Sequence, residues 1–229
     1  MESELAWEVQ DMNMERLLLG VEALAFLEKD GLPVLKSSLA RDENEAVSVA
    51  SKMGFPVALK ISSPDVVHKT ETGGVMVSLK DEGEVRRAFK EIVDVFTADS
   101  PAKKFDGVMV QELGKGFELI VGTRKDPQFG PVLMFGLGGI FAEAMKDVAF
   151  RLVPIASVDA KEMIEELKGY AALKNPRKGT IDLPAIEKFL MQVSRFLEKH
   201  AEIQEMDLNP VFVASRDIQV CDARISFRP

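Results

Sequence analysis

The chain has 229 residues, a formal charge of −8 and 46% hydrophobic residues, enough for a globular core. The acidic balance argues against a nucleic-acid surface built on bulk positive charge. The single cysteine excludes an internal disulfide framework, and no apolar run reaches membrane-spanning length. The opening MESELAWEVQ lacks the basic and apolar regions of a secretory signal. The expectation is a soluble cytoplasmic protein without nucleic-acid or membrane partners.

MERLLLGVEALAFLEKDGLPV carries apolar residues at helical spacing and stops at Asp30-Gly31, with Pro33 beyond. This predicts a helix followed by a turn. DENEAVSVASKMGFP predicts a second helix with an acidic start and a stop at Gly54. PVALKIS and GGVMVSL read as short strands, and DEGEVRRAFKEIVDVF as an amphipathic helix. Residues from about 32 to 97 thus read β-α-β-β-α. TADSPAKKFDG, polar with Pro101 and Gly107, is the expected linker. GVMVQEL, FELIVGTRK and PVLMFGL follow; turns at Gly114-Lys115-Gly116 and Asp126-Pro127 predict neighbouring antiparallel strands. Next come a glycine-rich loop, GLGGIFAEAMKD, a strand, VAFRLVPI, and helices in DAKEMIEELKG and DLPAIEKFLMQVSRFLEKH. The chain closes with strands IQEMDLNPVFV and IQVCDARI around a turn at Ser215-Arg216-Asp217. The pattern is α+β, with a small lobe over residues 25–99 and a larger lobe over 100–229. Residues 1–24 hold a helix expected to pack on the larger lobe. Ligands commonly bind in the cleft of such two-lobed chains.

Some residue types in this pattern suit phosphate chemistry. Lys60 sits near the end of a strand, where a lysine reaches into a cleft and neutralises phosphate charge; a solvated strand residue is the plainer alternative. Gly73-Gly74 allow backbone amides to approach a phosphate, or simply turn the chain. GLGGIF is not the dinucleotide fingerprint and follows antiparallel strands, so a nicotinamide site is rejected there. The strand end VMVQEL offers backbone groups for an adenine edge, and Glu118 a carboxylate for ribose hydroxyls. In EMDLNP, Asp207 and Asn209 are two apart and share a strand face, and Asp222 lies on the next strand. Hard oxygen donors of this kind suit Mg²⁺, or else cap a turn; no Cys/His spacing suits zinc. His68, one of two histidines, lies between Lys60 and the Gly-Gly pair. A neutral imidazole there is a competent nucleophile toward phosphorus. His200 ends a helix, where a cation suits the dipole.

Three stretches together, GFPVALKISSPDVVHKTETGGVMVSL, VMVQELGKGFELIVGTRKDPQFGPVLMFGLGGIFAE and EMDLNPVFV, resemble the ATP-grasp β subunit of ADP-forming acetyl-CoA synthetases, the NDP-forming acyl-CoA ligases related to succinyl-CoA synthetase. The resemblance covers nearly the whole chain. It implies an ATP-grasp fold, two α+β lobes with the nucleotide between them. Lys60 would hold the phosphates, Gly73 and Gly74 the flexible loop over them. Gln111, Glu112 and Leu113 would meet adenine, and Glu118 the ribose. Asn209 and Asp222 would hold Mg²⁺, with Asp207 close by. His68 matches a histidine that the family phosphorylates transiently, passing the group to ADP to form ATP. The roles of Ser62, Glu143, Asp147 and Arg151 are less defined, with Arg151 expected as a second nucleotide-binding cation. The resemblance also implies a separate α subunit with CoA-binding and ligase domains, in an α2β2 assembly.

Two other functions fit the same residues. One is an ATP-grasp carboxylate ligase that forms an acyl-phosphate directly, in which His68 is incidental. The other is a nucleotide-sensing module without phosphoryl transfer.

Overall fold

The computed structural model describes residues 16–66, 73–99, 104–139, 147–176 and 180–227. In chain order the elements are β1 (Leu17–Leu19), α1 (Gly20–Lys29), β2 (Ser37–Ala40), α2 (Glu43–Met53), β3 (Val57–Ser62), β4 (Val75–Leu79) and α3 (Glu82–Asp99). They continue with β5 (Gly107–Glu112), β6 (Phe117–Asp126), β7 (Gly130–Leu137), β8 (Val148–Leu152), α4 (Ser157–Glu165), α5 (Tyr170–Lys174) and α6 (Leu183–Lys199). The last three are β9 (Ile203–Ala214), β10 (Asp217–Val220) and β11 (Ala223–Phe227). They form two compact units, one of residues 19–22 and 35–114, the other of 1–18, 23–34 and 115–229.

The smaller unit is an antiparallel sheet in the order β2-β5-β3-β4 with α2 and α3 on one face. Val57, Leu59 and Ile61 of β3 and Val108 and Val110 of β5 meet Ala46, Ala50, Val85, Phe89 and Ile92 from the helices in one buried cluster. Each large aliphatic side chain buried this way contributes roughly 1.5–3 kcal/mol. Both helices start on the same device. The Asp42 carboxylate accepts from the amides of Asn44 and Glu45, both at 2.9 Å, while Glu45 accepts from the Arg41 amide at 2.8 Å. At α3, Asp81 accepts from the Glu84 amide at 2.8 Å and Glu84 from the Lys80 amide at 2.7 Å. Such a cap contributes about 1 kcal/mol.

The larger unit is a seven-stranded sheet ordered β1-β11-β9-β6-β7-β8, with β10 paired to β9. α4 packs against α6, β7 and β8, and α6 also against β10. α6 buries Ile186, Phe189, Leu190, Val193 and Leu197 along one stripe, the spacing expected of a helix laid on a sheet. At its C-terminal end, the rings of Phe26 and Phe196 pack edge-on with centroids 5.6 Å apart, and Phe26 also meets Phe227 at 5.7 Å.

The structure departs from the sequence expectation at four places. Leu17–Leu19 form a strand inside the predicted first helix, and the helix starts only at Gly20, where φ is +50°. α3 runs through Asp99, into the predicted linker. β5 does not pair with β6: it joins β2 and β3, so the boundary between units follows Gly114 rather than residue 99, and residues 23–34 group with the larger unit. α5 was not expected. No helix among the described residues is long and apolar enough to cross a membrane.

Candidate functional site

Strand alternation in the smaller unit sorts side chains between two faces. With Val57, Leu59 and Ile61 turned to the helices, Ala58, Lys60 and Ser62 belong to the opposite face. Gln111 sits across from Ala58, and Met109 across from Lys60, so Lys60 and Gln111 share that face one diagonal step apart. Lys60 is 8% exposed and Gln111 fully buried. A lysine this enclosed is rarely a mere surface residue. Glu112, next along β5, lies on the other face; its amide bonds the Lys36 carbonyl at 3.0 Å and its carboxylate stands 3.4 Å from the Lys36 ammonium. Leu113 is half-buried just beyond the strand end.

Gly74 returns the chain to the same sheet directly beside Lys60. The Ile61 amide donates to the Gly74 carbonyl at 2.7 Å, and Val75 pairs with Lys60. Gly73 has φ +69°, a conformation that favours glycine. On the outgoing side, the Asp65 amide bonds the Ser63 hydroxyl at 3.1 Å, and the Asp65 carboxylate accepts from the Lys104 amide at 2.8 Å. The Asp106 amide bonds the Ser62 carbonyl at 3.0 Å. The segment bearing His68 thus leaves and re-enters the sheet at the end of the Lys60 strand. His68 itself, like Glu143, lies outside the described residues.

In the larger unit, register rows decide which residues share a face. One row across the sheet is Arg224, Asp207, Gly122, Met134 and Phe150. The adjacent row is Ile225, Met206, Thr123, Leu133 and Arg151. Met206, Leu133 and Ile225 are buried, and Arg151 reaches Glu162 and Glu166 on and just after α4 at 3.3 and 2.9 Å, so this second row is the helix-covered face. The expectation for Arg151 is therefore corrected. It stands on the face opposite Asp207, and two carboxylates balance its charge and raise its pKa. Asp147, also buried, accepts from the amides of Lys168 at 2.8 Å and Gly169 at 2.7 Å, which ties the start of β8 to the turn after α4.

Of the expected metal residues, Asp207 stands on the uncovered face. A register shift between Leu119 and Val121 places Asn209-Pro210 outside the regular ladder, and the Asn209 amide bonds the Asp222 carbonyl at 3.1 Å. Asp222 lies in the break between β10 and β11. Asp207 is close enough to Asp222 for burial and then the Asp222 and Glu205 charges to push its carboxyl above the ordinary range, against the pull of Arg224. A divalent cation relieves that repulsion. Among the described residues no group of three or more His, Cys, Asp or Glu side chains is placed to hold a metal. The set here is two carboxylates and an amide, hard donors of the number that Mg²⁺ uses when phosphate and water complete its shell. A groove of about 840 Å³ runs along this face past Asp207, Arg224, Gly122, Met134 and Phe150.

Glu118 is the second residue of β6, opposite Phe212. Its carbonyl accepts from the Gly138 amide at 2.8 Å, which brings the GLGG stretch against it. Neither this contact nor the Asp147 anchor was anticipated. A paired glycine after a strand was the available signal for the first; a carboxylate closing a glycine-rich loop was the signal for the second.

The ATP-grasp domain family matches residues 10–227. The chain belongs to the ATP-grasp family. The beta subunit of acetate–CoA ligase [ADP-forming] I from Pyrococcus furiosus is 40% identical over 212 residues, covering 92% of this chain and 91% of that one. Acetate–CoA ligase [ADP-forming] II of Archaeoglobus fulgidus is 43% identical over 210 residues, 91% of this chain but 30% of that protein. The chain thus spans about a third of the Archaeoglobus relative and nearly all of the Pyrococcus subunit. Among solved structures, acetyl-coenzyme A synthetase 1 of Ca. Korarchaeum cryptofilum, in complex with coenzyme A, Ca-AMPCP and HgCl⁺, superposes with a TM-score of 0.90 at 44% identity, covering 98% of each chain. The same enzyme with coenzyme A and Mg-AMPPCP, its phosphohistidine segment pointing towards the nucleotide binding site, gives 0.81 at 43% identity, covering 97% of this chain and 96% of that one. ATP-grasp membership agrees with the expected α+β fold class.

Proposed function

We propose that this ATP-grasp chain is the β subunit of an ADP-forming acyl-CoA synthetase, acting on acetyl-CoA or a similar thioester. It moves a phosphoryl group between His68 and ADP within the overall reaction acyl-CoA + ADP + phosphate = acid + CoA + ATP. The observation that carries this reading is the placement of Lys60. It is buried on the face of its sheet opposite the helices, beside Gly74 and at the root of the segment bearing His68. The beta-subunit relatives and the phosphohistidine segment of the Korarchaeum enzyme support it.

In this scheme the Lys60 ammonium binds and orients the phosphates, and the Gly73-Gly74 backbone closes over them. Backbone groups at Gln111, Glu112 and Leu113 meet the adenine edge, and Glu118 accepts from ribose hydroxyls. Asn209 and Asp222, with Asp207 nearby, would hold Mg²⁺, which supplies charge neutralisation for the phosphate oxygens. The N–P bond of phosphohistidine breaks as a terminal ADP oxygen forms the new P–O bond, and the histidine is released for the next cycle. Positioning and charge balance are the main demands of such a transfer. The partner is a separate α subunit with the CoA-binding and ligase functions, in an α2β2 assembly.

The test is phosphorylation of the purified chain, alone and with its α partner, by γ-labelled ATP and Mg²⁺. Acid-labile, base-stable label that disappears in His68→Ala supports the relay. Nucleotide binding with no label in either setting sinks it and leaves a direct ligase or a nucleotide sensor.

A further inference from the structure

Gly138 and Gly139 lie flat against Glu118. The Gly138 amide donates to the Glu118 carbonyl at 2.8 Å. A β-carbon on Gly138 would stand 2.9 Å from the Glu118 carbonyl carbon and 3.0 Å from its Cβ, closer than two such atoms pack without backbone movement. Gly139 has φ +64°, and a β-carbon there would stand 3.0 Å from the Glu118 Oε2. The two glycines therefore do different jobs. The first lets the end of β7 bond the main chain of Glu118, and the second leaves room for one oxygen of its carboxylate. Any side chain at Gly139 would press on the movable end of Glu118, which yields by rotating.

We propose that the Gly138-Gly139 turn is a positioning element that sets the direction of the Glu118 carboxylate and so determines how well the site recognises the ribose hydroxyls of its nucleotide. This rests on the reading of Glu118 as the ribose-binding residue. The chemistry is simple. A vicinal diol offers two O–H donors, and a carboxylate accepts both only when its plane is held toward them. A strand-end glutamate has free rotation about three bonds, and closing a glycine turn against it removes part of that freedom before the ligand arrives. The turn thus acts on nucleotide affinity through Glu118, without touching the nucleotide.

The test is titration calorimetry of the full chain with ADP and with 2′,3′-dideoxy-ADP, both with Mg²⁺. The wild-type chain is expected to prefer ADP by roughly tenfold or more, the value of a hydrogen bond to a charged group. Gly139→Asn is expected to lose most of that preference while binding dideoxy-ADP as the wild type does. Asparagine tolerates a positive φ, so the loss would trace to crowding of Glu118 rather than to backbone strain. Unchanged dideoxy-ADP binding also reports that the variant is folded. Combining Gly139→Asn with Glu118→Ala is expected to add nothing to the effect of Glu118→Ala alone. Should Gly139→Asn fail to fold, Gly138→Ala carries the same expectation through displacement of the Glu118 main chain. A full ADP preference retained in a folded glycine variant overturns the positioning role and leaves the nucleotide reading standing. A wild-type chain that binds both ligands equally overturns Glu118 as the ribose residue and the proposal with it. A wild-type chain that binds neither overturns the nucleotide reading itself.

Discussion

Arg151 and Asp207 stand on opposite faces of one sheet. They occupy adjacent register rows, Arg151 beside Leu133 beneath α4 and Asp207 beside Gly122 on the uncovered side. A cation one strand residue out of phase is removed from the site by the full thickness of the sheet.

Arg151→Ala should therefore leave nucleotide affinity unchanged and weaken the fold. Loss of the pairs to Glu162 and Glu166 is expected to cost about 1 kcal/mol, a drop of a few degrees in Tm for a chain this size. Calorimetric ADP titration and thermal unfolding of the same variant separate the two effects. Weaker ADP binding at unchanged Tm would contradict the assignment.

Lys60→Met should do the reverse. Methionine keeps the apolar stem in its buried place and removes the ammonium. ADP affinity is expected to fall roughly tenfold to a hundredfold, with Tm changed far less. Equal ADP affinity in wild type and variant would remove Lys60 from the phosphate site.

Asp207→Asn tests the acidic cluster. Burial and the Asp222 and Glu205 charges raise the Asp207 carboxyl, so its ionised form is a burden on the metal-free fold. The variant is expected to melt a few degrees higher than wild type in chelator, a gain of about 1 kcal/mol or less. Its stabilisation by added Mg²⁺ should be smaller than the wild type's. Melting curves with EDTA and with Mg²⁺ settle both points.

Asp30 sets a pH dependence. The Lys199 ammonium, followed by the His200 ring, bonds its carboxylate and holds its pKa below the ordinary value. A depressed carboxyl contributes stability that is present above its unfolded pKa and is lost as pH falls through the folded one. Asp30→Asn should therefore lower Tm at pH 7, and the gap to wild type should close as pH falls below the ordinary aspartate range. An unchanging gap over that range would show that Asp30 acts through packing rather than charge.

Local pattern carried much of this molecule. The run VALKIS reads as a strand with Lys60 near its end, and IQEMDLNPVFV as one strand carrying Asp207 and Asn209, and both are strands in the structure. What local pattern could not carry was pairing between distant segments. Leu17–Leu19 are as compatible with a helix as with a strand, and only β11 makes them a strand. β5 reads as a neighbour of β6 because a glycine turn joins them, yet its ladder partners lie in β2 and β3. Arg151 was misplaced for the same reason. Its face depends on the register of β8 against β7, and nothing within VAFRLVPI fixes which alternate residues turn toward α4.

The pairing of β1 with β11 also orders events during synthesis. The Phe227 amide bonds the Arg16 carbonyl at 2.9 Å, so the outer edge of the seven-stranded sheet joins residues from opposite ends of the sequence. That sheet cannot close on the ribosome until its last strand has emerged. Residues 35–114, by contrast, run continuously through the four-stranded sheet and its two helices. The nascent chain thus completes the Lys60 half first, while β1 waits, unpaired, for a partner not yet translated.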